Sequence, residues 1–106
     1  MEFNFKETFS NMLGAAQESA AGDWKSSKET INQFLEMNKN QLELISKQFL
    51  KGEIDKAKFD YRMKELKENV ELQGLALKVG AKVAAQNAIN AAISVFEKAV
   101  FLAVGL

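Results

Sequence analysis

Apolar residues along the chain recur at helical spacing in three long stretches. Phe5, Phe9, Met12, Leu13, Ala16 and Ala20 share one face of a helix predicted over about 4–21. Asn4 can cap it, and Glu7 three residues later can reach back, the arrangement of a capping box. Gly22 and Asp23 punctuate the pattern, and Ser26 with Glu29 offers a second capping box, so a break or kink is expected there. A second stripe follows in a helix over about 24–51, through Ile31, Phe34, Leu35, Leu42, Ile45 and Phe49, with Trp24 leading into it. Asn38 stands where this stripe calls for an apolar side chain. A solvated place at the stripe's edge is the expectation, with a buried, register-fixing amide as the alternative.

The segment Lys51–Asp55, KGEID, predicts a tight turn. Gly52 can take the left-handed conformation that ends a helix, and Asp55 can cap the next. Ile54 and Phe59 have the spacing of a hydrophobic staple. So short a turn sets its two helices antiparallel. Beyond Asp55 the three–four spacing continues through Phe59, Met63, Leu66, Val70, Leu77, Gly80 and Ala84, with no proline and no convincing cap. One helix from about Lys56 to about Val104 is expected, roughly 73 Å long at 1.5 Å per residue. A break near Gly74–Gly80 is the alternative. The stretch LELISKQFLKGEIDKAKFDYRMKEL resembles the short helical hairpin of SHOCT-type modules, with their Gly-x-Ile turn followed by a Phe and a basic residue. Any stapled hairpin uses those residues, so the resemblance implies the turn and no function.

The expected architecture is therefore all-α: one domain, a long antiparallel helical hairpin of two to four helices, assembled into a helical bundle. In a closed hairpin Phe5 and Phe9 come beside Glu97 to Phe101. Charge agrees, since residues 1–23 carry a net −3 and residues 75–106 a net +2.

Leu75 to Leu106 is apolar on nearly every helical face. Its polarity is a thin ladder at Lys78, Lys82, Gln86, Asn90, Ser94 and Lys98. Such a helix needs cover on several faces, from the rest of the chain, from another copy or from lipid. Ala76, Gly80, Ala84, Ala88 and Ala92 form a line of small residues four apart, a spacing that lets helix backbones approach closely. With Ile93, Phe96, Val100 and Phe101 they make up the expected interface, between two copies or with a helical partner, a dimer being favoured. Residues 88–106 also have about the length of a membrane span. Glu97 and Lys98 near its middle oppose insertion by roughly 3 kcal/mol each, so membrane association is the alternative.

Composition sharpens this picture mostly by exclusion. Proline is absent, where about five would be average, which favours long helices. Without cysteine there is no disulfide, thiolate ligand or cysteine nucleophile, and without histidine the commonest general base and metal ligand are gone. Glu65, Glu68 and Glu71 recur at helical spacing, but di-metal bundles add a histidine three residues after a glutamate. Lys64 and Lys67 interleave them, as on a solvated face. The basic residues around the turn are interspersed with Glu53, Asp55 and Asp60, and the formal net charge is +0, which disfavours nucleic acid. No catalytic, cofactor or metal site is expected, and no enzyme. The N-terminus MEFNFKETF lacks a basic n-region, so no signal peptide is expected. Cytoplasmic residence follows, with secretion lacking a cleaved signal as the alternative. The function expected is a self-associating helical interaction module.

Overall fold

Helix ends in this protein lie where backbone groups find local partners. The computed structural model describes residues 3–73 and 79–105, with the side chains of 3–68 and 82–105. Within them are α1 (Phe5–Ala20), α2 (Trp24–Leu50), α3 (Lys56–Gln73) and α4 (Val79–Val104), with a 3-10 turn at Ala21–Asp23 between the first two and no strand among the described residues. The Asn4 side chain accepts from the Glu7 amide at 3.0 Å and so caps α1. At the end of α2, the Glu53 amide donates to the Gln48 carbonyl at 2.8 Å and the Gly52 amide to Phe49 at 3.1 Å. This is a full Schellman closure, and Gly52 takes φ 77° as it demands. Asp55 then accepts from the Lys58 amide at 2.8 Å and starts α3, while Ile54 packs against the core in which Phe59 is buried. A Cβ added at Gly52 meets nothing within 4 Å. The cost of Gly52→Ala is therefore conformational, about 1 kcal/mol, and should appear as a lower urea midpoint with an unchanged slope.

The helices alternate in direction. Lys39 of α2 lies over the Phe9 ring at 5.0 Å and residues 3–7 line a groove with residues 43–50, so α1 folds back along α2. The α2–α3 reversal brings Phe49 onto Phe59 at 4.7 Å between ring centroids. Phe59 meets Phe96 at 6.2 Å and Phe101 at 5.3 Å, while Lys67 pairs with Glu97 at 3.1 Å, so α4 returns along α3. The result is a bundle-like arrangement 41 × 23 × 20 Å, with its long axis about the length of α2 at 1.5 Å per residue.

Two expectations are corrected here. Lys56 to Val104 is not one 73 Å helix but two antiparallel ones, and the residues between them, 74–78, lie outside the described set. A straight rod would leave α4 beside a single neighbour, whereas its apolar faces are covered by α1, α2 and α3 together. Of the break or kink expected after Gly22, the structure has the break, and the chain reverses direction at it. Phe5 does reach the C-terminal part of α4, its ring 6.4 Å from Phe96, but by turning back rather than by extending. Ser26 and Glu29 form no capping box; α2 starts earlier, and the Ser26 and Ser27 hydroxyls both donate to the Asp23 carbonyl.

The stripes read from the sequence form the core. Phe9, Met12, Ala16, Ala20, Ile31, Phe34, Leu35, Leu42, Ile45 and Phe49 are buried, as are Phe59, Met63 and Leu66. Asn38 departs from the expectation: it is buried, with its amide donating to the Phe34 carbonyl of its own helix at 2.8 Å. The two ends of the molecule differ. Phenylalanines crowd the end that holds the α2–α3 turn, whereas toward the other end alanines of α1 and α4 (Ala16, Ala20, Ala85, Ala88) line the core beside Ile31, Phe34, Leu35 and Ile89.

Candidate functional site

The element most in need of a role is α4, and its cover defines the candidate site. Ala85, Ala88, Ile89, Ala92, Ile93, Phe96 and Val100 are buried along one side. α1 supplies the most extensive contact and α2 the next. Asn4 and Asn11 line one shallow depression with Ala99, Leu102 and Ala103, so the start of α1 lies beside the end of α4 and the two run antiparallel. In that register Ala16 and Ala20 come level with the stretch holding Ala85, Ala88 and Ala92. Small side chains on both partners let these two backbones run close.

The residues expected at an interface between copies fall into three groups. Ala88, Ala92, Ile93, Phe96 and Val100 lie inside the chain's own core. Ala84 and Phe101 are half-buried, the latter packed against Phe49 at 6.0 Å and Phe59 at 5.3 Å. Ala76 and the surroundings of Gly80 are outside the described residues. The turn residues Gly52, Ile54, Asp55 and Phe59 are together, as expected.

Sequence reasoning missed an outward arc on α4. Val83, Asn87, Asn90, Lys98 and Leu102 are exposed, and Ala84, Ala91 and Ser94 are half-buried beside them. Eight residues over five turns thus carry one charge, Lys98. Two large apolar side chains in the arc, Val83 and Leu102, are 53% and 62% exposed. The signal was present in the polar ladder, whose members Asn90 and Lys98 are exposed and, with Ser94, border a shallow depression beside Lys67 of α3.

Among the described residues no chemistry converges elsewhere. No three His, Cys, Asp or Glu side chains among them come close enough to share a metal ion. Glu65 and Glu68 are exposed. The groove of about 700 Å³ between the start of α1 and the end of α2 mixes Lys6 and Lys47 with Glu7 and Glu43. Its one hydroxyl, from Ser46, is taken up by the Glu43 carbonyl at 2.7 Å. Compared with protein-family models, curated proteins and solved structures, the chain finds no match.

Proposed function

We propose that the protein is a non-enzymatic helical interaction module that self-associates through the outward arc of α4, with a dimer as its unit. One observation carries the reading. The most apolar 18-residue window of α4 is long and apolar enough to cross a membrane, yet only 33% of it is buried within the chain. Of the rest, the arc from Val83 to Leu102 is open to solvent, carries only Lys98 as a charge, and offers Ala84, Ala91 and Ser94 as small side chains over which a second copy can approach closely. The arc's one charge, Lys98, is exposed, so a twofold contact of α4 on α4 can leave it solvated at the rim.

Light scattering coupled to size exclusion tests this reading. The parent should run as a dimer at high micromolar concentration. Leu102→Glu combined with Ala91→Glu should shift it to monomer with its helical signal intact. A parent that is monomeric throughout that range would remove the proposal.

The same window supports a second reading, association with lipid through residues 88–106. Asn87, Asn90, Ser94 and Lys98 in the arc disfavour it, because amides, hydroxyls and charges are costlier in hydrocarbon than at a wet protein interface. Flotation with liposomes separates the two, since only the lipid reading brings the protein up with the vesicles.

A further inference from the structure

The joint between α1 and α2 has an unusual construction. Ala21 sits at φ 48° and ψ −117°, the one positive-φ residue other than glycine among those described. A Cβ is strained in this region. The adjacent Gly22, for which such a conformation is free of penalty, does not take it. Apart from this strained residue, little stops the helix from running through. Ala20 and Trp24 on either side are already helical, Asp23 lies close by at φ −90° and ψ 1°, and the chain contains no proline. Bringing Ala21, Gly22 and Asp23 into the helical region would merge α1 and α2 into one helix.

The contacts of α1 make such a merger more than a local change. α1 packs chiefly on α4, far away in sequence, and much less on α2, to which it is joined. A second chain's α1 carries the same residues and can make the same contact. Direction also allows it. α2 spans the full 41 Å of the bundle, so a straightened α1 projects wholly beyond the alanine-rich end. A second copy facing the first across a twofold axis at that end receives the projecting helix in the direction its own α1 runs.

We propose that two copies of this chain exchange α1, each α1 covering the partner's α4, with Ala21–Asp23 as the joint that opens. Short strained connections favour such exchange. The proposal is independent of the outward arc of α4, which the exchange leaves uncovered.

Two substitutions at the joint push in opposite directions. Gly22→Ala favours the straight helix, and an added Cβ there meets nothing within 4 Å in the closed form. Alanine exceeds glycine in a helix by about fivefold per chain, hence roughly thirtyfold per dimer. Ala21→Gly relaxes the closed turn and weakens the straight helix, so dimer content should fall by at least as much.

The chain has no cysteine, so Asn11→Cys with Ala99→Cys reports which chains are paired. The double variant, alone and combined with each joint substitution, is refolded at high concentration, separated by size and treated with a short thiol crosslinker. In exchanged dimers the link joins two chains and survives as a covalent dimer in denaturing gels. In monomers it lies within one chain. Small-angle scattering of the unlabelled parent's dimer should give a maximum dimension about twice that of the monomer. A dimer linked only within chains would overturn the exchange and leave self-association through α4 standing. Equal dimer content in the parent and both joint variants would also overturn it. A complete absence of dimer from all of them would sink both ideas.

Discussion

Phe96→Ala should lower the unfolding free energy by about 3–5 kcal/mol, the range for deleting a fully buried aromatic ring. Phe96 is 0% exposed and sits between Phe5, edge-on at 6.4 Å, and Phe59, stacked at 6.2 Å. It therefore joins helices from both halves of the chain, and its loss leaves a cavity that neither half can close alone. Against the total of about 5–15 kcal/mol usual for a domain this size, the variant should be partly unfolded at physiological temperature. Phe101→Ala is the natural control. Its ring touches Phe49 and Phe59 but is half-exposed, so about 1–2 kcal/mol is expected by area. Urea titrations of both variants check the ordering; equal losses would mean that Phe96 is not the centre of the cluster.

The second large effect concerns the alanine ladder. Ala92→Glu should unfold the protein rather than dissociate it, with a loss of at least about 3 kcal/mol, because the new carboxylate would be buried without a partner. Ala92 is 0% exposed and belongs to the side of α4 that faces the bundle. Ala91→Glu, one residue along and half-exposed, should leave the fold intact. Far-UV circular dichroism and light scattering of the pair decide the matter. Folded, soluble Ala92→Glu monomers would mean that the ladder faces a second chain and not the interior.

The faces of the helices were largely legible in the sequence. Each stripe residue named for α1 and α2 is buried or half-buried, because period alone fixes which side chains share a side. The KGEID turn was legible in full, since glycine, a capping aspartate and a staple act within a few residues of one another. Local pattern marked Gly22–Asp23 as a break or kink and gave a break near Gly74–Gly80 as the alternative, but it did not reveal that the helices on either side run antiparallel. No proline marks either joint, and at the first the strained residue is Ala21, next to the glycine that looks suited to the role. Both breaks follow from a global demand, covering α4 on several sides at once, which a straight hairpin cannot meet. The same demand accounts for the interface residues. Ala88, Ala92 and Phe96 carry the pattern of a helix that packs closely against another, and a pattern of that kind does not say whether the partner belongs to the same chain. Asn38 escaped for a local reason. A carbonyl one turn back in its own helix satisfies its amide, an arrangement that spacing does not signal.

The bond made by Asn38 is one of four of a kind among the described residues. Ser26 and Ser27 donate to Asp23 and Ser46 to Glu43, again within α2 or its own N-terminal edge. A sliding or rotating neighbour would break none of these bonds, so none of them discriminates between native and shifted packings. Between helices the described polar contacts include Arg62 donating to Gln48 and the Lys67–Glu97 pair at the surface, so selection of one arrangement falls mainly to side-chain shape, and shape is unevenly supplied. Interlocked rings at the turn end penalise any displacement heavily, whereas alanine against alanine farther along accepts several offsets at similar energy. The gap between the native state and its compact competitors, on which a unique fold depends, therefore owes most to the six phenylalanines whose rings meet, Phe5, Phe9, Phe49, Phe59, Phe96 and Phe101, and to the fully buried Phe34.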